Sequence, residues 1–400
     1  MTYNDSLMIY LDRPFDDWMN IMSRAVSPKC AAVCIDTRDG AGRRRLRGVA
    51  QYAQQHGWRM MLVRRRGKEA AREVVKLRPE GIIAYIADQT LVDTAKRLSV
   101  PLADTAISEV DVPRSVSLDN REVGRLAAES LTRLGLKHFG YCGVRGKRAS
   151  GERQSSFAQH LGESGFTLAA FSQRVAEGES QMRPLTTWLE SLPKPVGILT
   201  FDDKLGERVL TACRWSDLPV PDLVAVLGIG NDDLVSKLTW PSLSSINVPA
   251  ERIGFEAADI LDHAMRRRRI KRPQRQLPPT GVTMRGSTDV LAVQDTLVES
   301  AARYVREHAG EAIGVEHIAR AVGVSRRTLD RRFTQALGRS VHGELSAVRM
   351  QNACVLLSES QETVASIAAA CGFRTAASFS RAFHRQNGCW PIEYRNRIRG

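Results

Sequence analysis

Two groups of side chains in this sequence could do chemistry, and both are suited to binding. The first lies near the carboxyl end: Arg326, Arg327, Asp330 and Arg331, then Arg374, Ala377, Ser378 and Arg381. A guanidinium fork matches both the O6/N7 edge of guanine and a phosphate, and an alanine methyl can meet that of thymine, so this set suits the grooves of double-stranded DNA. The second is a series of polar residues where strand-length apolar runs end: Asp36-Thr37, Asp88, Asp119, Arg153, Asp202-Asp203 and Asn231-Asp232. In open α/β sheets ligands bind at the carboxyl ends of strands, and carboxylates with a guanidinium suit a polyhydroxylated molecule, each pairing with two adjacent hydroxyls. Helix capping explains each aspartate equally well.

Constellations for catalysis are lacking. Gly143–Arg148 falls short of a phosphate loop, because Tyr141 stands where the first glycine belongs and Arg148 replaces the hydroxyl that would hold magnesium. Gly228-Ile229-Gly230 follows a strand-like run, yet Asp233 occupies the third glycine position of a dinucleotide fingerprint. There is no H-E-x-x-H pair and no G-x-S-x-G elbow. The seven cysteines lack C-x-x-C spacing, so reduced and mostly buried thiols are expected, with no metal and no cofactor.

The elements that must hold these groups come from hydrophobic periodicity. From Ala31 to about Arg285, apolar runs of strand length alternate with amphipathic stretches, the pattern of parallel sheets covered by helices. Candidate strands are Ala31–Asp36, Arg59–Val63, Gly81–Ile86, Val116–Asp119, His138–Gly143, Gly197–Phe201 and Leu223–Ile229. Two doubly wound lobes would account for that length. The run Arg266–Arg275 reads as a solvated helix end and loop, with a second DNA-contacting patch as the alternative. Beyond Asp289 the strand pattern stops and short amphipathic helices follow. The expected organisation is an unassigned extension over 1–28, a two-lobed α/β domain over 29–289 and an all-α domain over 290–400.

That last domain contains a repeat. Ile318-Ala319, Gly323, Leu329 and Phe333 recur as Ile367-Ala368, Gly372, Phe379 and Phe383, the Ile-Ala pairs standing 49 positions apart. Each copy supplies a first helix with an Ile-Ala face, a glycine for the turn, and a second helix presenting apolar groups at i and i+4. Ser325 and Thr375 stand where the second helices need N-caps. Two helix-turn-helix units result, at about 315–337 and 364–388. Between 291 and 400 there are 15 arginines, no lysine and 10 acidic residues, and the whole chain of 400 carries a formal net charge of +14 at pH 7. A basic surface of that size favours a polyanion. No run of about 18 apolar residues could span a bilayer, and no basic region precedes an apolar stretch at the N-terminus, so a cytoplasmic protein without membrane contact is expected.

At this point the residues resemble known families. Ile318 to Arg395, with Gly372-Phe373 and the Pro391-Ile392-Glu393-Tyr394-Arg395 ending, resembles the DNA-binding domain of AraC-type regulators. That resemblance implies a long helix around Val341–Leu357 joining the two units, both entering successive major-groove segments of one DNA face. Residues from about Cys30 to Asp289 resemble the effector domain of lactose-repressor and periplasmic sugar-binding proteins, through Leu118-Asp119-Asn120, Gly151-Glu152-Arg153, Phe201-Asp202-Asp203 and Val220-Pro221 before Ala225–Gly228. The two together are similar to xylose-operon regulators. The resemblance implies ligand contacts at Asp119, Arg153 and Asp203. Where that family carries an aspartate this chain has Gly230, a role Asp232 or Asp233 could take over.

The expectation is a regulator that binds operator DNA and a sugar-like effector as a homodimer, with RNA polymerase as a further candidate partner. Two alternatives stand beside it. In one the lobes only dimerise and sense no effector. In the other the chain is a metabolic enzyme or binding protein with a helical appendage.

Overall fold

The computed structural model describes residues 29–173, 182–289 and 295–399. The unassigned extension 1–28 lies outside them. Strands β1 (Cys30–Cys34), β2 (Arg59–Leu62), β3 (Gly81–Ala84), β4 (Leu102–Asp104) and β5 (Ser115–Leu118) belong to a first sheet; β6 (His138–Val144), β7 (Leu168–Gln173), β8 (Val196–Thr200), β9 (Val224–Gly230) and β10 (Ser244–Asn247) belong to a second. The chain then returns β11 (Gln274–Leu277) to the first sheet and β12 (Val282–Thr283) to the second. The strand orders are β11-β5-β4-β3-β1-β2 and β12-β10-β9-β8-β6-β7. Pairing is parallel throughout except for β12 against β10. Central strands such as Gly81–Ala84 and Val196–Thr200 are buried along their whole length, which is why they read as continuous apolar runs.

Most of the basic run at 266–275 is exposed. It leads into β11, where Arg275 pairs with Glu256 at 3.2 Å and Asp259 at 3.8 Å. The chain passes between the lobes beside Asp119, beside Val248, and between Leu277 and Val282.

Five helices set the inter-lobe site: α1 (Gly40–His56), α2 (Asn120–Thr132), α3 (Arg148–Glu163), α4 (Asp203–Trp215) and α5 (Ala250–Met265). Aspartates begin three of them. Asp39 accepts from Gly42 N–H at 2.5 Å, Asp119 from Arg121 and Glu122 N–H at 3.0 and 3.2 Å, and Asp202 from Leu205 N–H at 2.8 Å. Helices α1 and α5 cross backbone to backbone: a Cβ on Gly48 would lie 1.8 Å from the Glu251 carbonyl oxygen, and one on Gly254 2.0 Å from that of Arg45. This contact fixes the height at which Arg44 and Arg45 leave α1.

The remainder is helical: α6 (Thr296–His308), α7 (Val315–Ala321), α8 (Arg326–Leu337), α9 (Val341–Glu359), α10 (Val364–Ala370), α11 (Ala376–Asn387) and α12 (Pro391–Arg399). Leu329 and Phe333 of α8 are buried with Ile318 and Val305, and Phe379 and Phe383 of α11 with Ile367 and Met350. Helix α9 contributes Val341 and Leu345 to the first cluster and Met350, Ala353 and Leu357 to the second, so it ties the helix pairs into one body. Among the described residues all seven cysteines are free, and no helix is long and apolar enough to cross a membrane.

Candidate effector cleft and nucleic-acid interface

A cavity of about 130 Å³ lies where the carboxyl ends of the two sheets face each other, lined by Arg45, Tyr85, Arg153, Phe201, Asp203 and Asp232 among others. Arg153 projects from α3. Its Nε donates to Asn120 Oδ1 at 2.8 Å, its Nη1 donates to the Phe201 carbonyl, and its guanidinium lies 4.8 Å from the Phe201 ring centre. Asp203, in the first turn of α4, accepts from the Ser245 hydroxyl at 2.5 Å and from Asp232 N–H at 2.7 Å. Burial pushes its carboxyl up to about 6, a rise that those two donors oppose.

Asp232 caps the next short helix through Leu234 N–H at 3.2 Å and also reaches across the cleft. It accepts from Gly40 N–H at 2.8 Å and has Arg43 at 3.9 Å. Arg44 completes this latch by donating to the Gly230 and Asn231 carbonyls. Three of the four effector residues expected from the sequence, Arg153, Asp203 and Asp232, therefore meet around one cavity. Asp119 instead spends its carboxylate as the cap of α2 and is not part of the lining.

Gly230 has a physical reason of its own. With φ at +136° it sits where side chains rarely go, and a Cβ there would come within 2.9 Å of Asp203 Oδ2. The space an aspartate would need is held by the Asp203 carboxylate. Sequence reasoning did not single out Arg44 and Arg45. The signal available was position: three consecutive arginines, Arg43 to Arg45, open a helix at the carboxyl end of the first strand.

In the helical domain Ser325 accepts from Thr328 N–H at 3.2 Å and Thr375 from Ser378 N–H at 3.1 Å, so both second helices start where their caps predict. Arg327 and Arg331 are exposed on one face of α8, and Arg374, Ala377 and Arg381 are exposed before and along α11. The other expected contacts are committed nearby. Arg326 is ion-paired with Glu316 and lies 3.6 Å from Asp330, while the Ser378 hydroxyl donates to the Thr375 carbonyl at 2.8 Å. Arg332 points the opposite way and holds Asp295, the cap of α6, through two bonds of 2.7 and 2.6 Å. Arg385 of α11, which sequence reasoning left out, is exposed as well.

A family model described as "Periplasmic binding protein-like domain" matches residues 128–288, and one described as "Helix-turn-helix domain" matches 318–397. The chain is 27% identical over 328 residues to the "Xylose operon regulatory protein" of Escherichia coli (strain K12), covering 79% of this chain and 84% of that one. Among solved structures it is similar to a "xylose-binding transcription activator", with a TM-score of 0.58 and 26% identity over 93% of this chain and 98% of the other. The chain is a DNA-binding transcription regulator. A fold likeness to the lac repressor dimer bound to operator has a TM-score of 0.55 at 19% identity, covering 69% of this chain and 99% of that one.

These findings correct the family and fold description that the sequence suggested. The one model covering both helix pairs is a single helix-turn-helix domain, and the recurring fold likenesses are to LacI-type regulators. The AraC-type name, the fused architecture built on it and the tandem-fold description are withdrawn. What stands is a doubly wound, periplasmic-binding-protein-like α/β part followed by an all-α helix-turn-helix domain. The comparisons are to transcription regulators rather than to catalytic enzymes.

Proposed function

We propose that this regulator is cytoplasmic and homodimeric, and that a small polyhydroxylated metabolite of the sugar class, held between its lobes, biases how its tail meets operator DNA. On this reading residues 29–289 form the effector domain and 290–400 the DNA-binding domain, with helix pairs at about 315–337 and 364–388. Arg153, Asp203 and Asp232 would hold the ligand. Arg327 and Arg331 would read base edges in the major groove, with Arg374, Ala377 and Arg381 adding base and phosphate contacts.

The observation that carries the reading is the latch. Asp232 and Arg44 join opposite lobes around a polar cavity, so a molecule enclosed there favours one lobe arrangement over another. A ligand with such a preference shifts the population of that arrangement. The relatives' names, which speak of xylose and of operator binding, agree with this class of ligand and partner.

Selection of duplexes from a random library by the full-length protein, with sequencing of the bound fraction, tests the DNA half. One enriched motif, lost when arginines of α8 are replaced, is the expected result. Enrichment of no motif at near-physiological salt would defeat it.

A further inference from the structure

The cleft holds an uncommitted donor. Arg45 is 5% exposed; its Nε donates to the Thr105 carbonyl at 3.1 Å and its guanidinium lies 4.3 Å from the Tyr85 ring centre. Its Nη1 is buried with no hydrogen-bond partner, and the residue lines the cavity. A buried charged donor left unpaired is costly, so an acceptor belongs beside it. Among the described residues Arg45 forms no ion pair with a cavity-lining carboxylate. Asp39 accepts from Gly42 N–H, Asp202 from Leu205 N–H, Asp203 from Ser245 and Asp232, and Asp232 from Gly40. A second guanidinium, that of Arg153, lines the same cavity. Arg153 is held below the usual arginine range by burial; the Asp202 carboxylate opposes that lowering and the positive charge of Arg45 adds to it.

We propose that the ligand of this cleft is an acidic sugar, a small polyhydroxylated molecule carrying one carboxylate or phosphate that Arg45 and Arg153 receive. The proposal rests on the reading of the cleft as an effector site and names the ligand's class. An anionic group supplies the acceptor that Arg45 lacks and screens the two guanidiniums from each other, in the bidentate geometry that suits carboxylate and phosphate alike. A neutral sugar's hydroxyl can also accept from Arg45, but it brings no negative charge to set between the two guanidiniums. The cavity volume of about 130 Å³ limits the ligand to a small metabolite.

The test is calorimetric titration of the full-length protein with D-xylonate, D-xylose 5-phosphate and neutral D-xylose, repeated with D-gluconate and D-glucose. An acidic member should bind about tenfold or more tightly than its neutral counterpart, and which of the two acids binds tells carboxylate from phosphate. Arg45→Gln should erase that preference while leaving the unfolding midpoint of the free protein readable. If Arg45→Gln does not fold, Arg45→Lys, which keeps the charge and loses the fork, should reduce the preference instead. Neutral sugars binding as tightly as the acids would overturn the proposal and leave the cleft reading intact. No binding by either class would overturn both.

Discussion

Arg327 and Arg331 stand one turn apart on the exposed face of α8, and neither has an ion pair among the described residues, whereas Arg326 beside them is bound to Glu316. Replacing either by alanine should cost about 1–3 kcal/mol of operator affinity and relax sequence preference if it reads a base, or lower the salt slope by about one if it touches phosphate. Fluorescence titrations at several salt concentrations separate these outcomes, and an unchanged affinity and slope would remove the residue from the interface. Asp203 makes a different prediction. Its folded-state carboxyl titrates near 6, above the ordinary value of 3.8, so the folded state binds the proton more tightly than the unfolded one. Its contribution therefore favours folding at low pH and is lost as pH rises from about 4 to about 6. Asp203→Asn should flatten that part of the dependence of the urea midpoint on pH; a slope identical to wild type would show that Asp203 does not titrate there.

At the scale of elements, the glycine contact between α1 and α5 decides where Arg44 and Arg45 stand. Gly48→Ala drives a methyl into the Glu251 backbone and should cost about 1–3 kcal/mol, read from denaturation midpoints, with weaker ligand binding as the helix shifts. An unchanged midpoint would mean that the helices separate freely. Which elements could be read from the sequence follows from what defines each one. The buried strands β1, β3, β6, β8 and β9 are apolar in their own right, and their runs could be seen. Strands β10 (Ser-Ser-Ile-Asn) and β11 (Gln-Arg-Gln-Leu) are polar, and only their partners make them strands. The tail helices showed through their Ile and Phe spacing. Even there the second turn is one residue longer, since α8 begins at Arg326 and α11 at Ala376 although the Ile-Ala pairs are 49 apart.

For the molecule as a whole, the contacts that matter join residues far apart in sequence, such as Gly40 with Asp232, and no local pattern announces them. Strand-end position singled out Arg153, Asp203 and Asp232, which line one cavity, together with Asp119, which caps a helix outside that lining; a cap and a hydroxyl-binding carboxylate look alike in one dimension. The family name was over-read from the resemblance of Ile318 to Arg395. The tail does not hang free of the lobes: Tyr394 donates its hydroxyl to the Thr280 carbonyl at 2.9 Å, Arg339 donates to that of Arg133 at 2.7 Å, and Arg306 pairs with Asp289 at 3.1 Å. Near this junction Arg285 donates to Asn231 Oδ1 at 2.7 Å, and Asn231 also receives Arg44 at the latch. A change at the cleft thus has a continuous set of contacts leading to the DNA-binding domain. The most direct measurement is a closed thermodynamic cycle on the full-length protein: operator affinity with and without saturating ligand, and ligand affinity with and without operator. Both affinities should change by the same factor and in the same direction, as linkage requires of sites that share one equilibrium. A factor of one, with tight binding of both partners intact, would contradict the account and leave the lobes with a purely structural role.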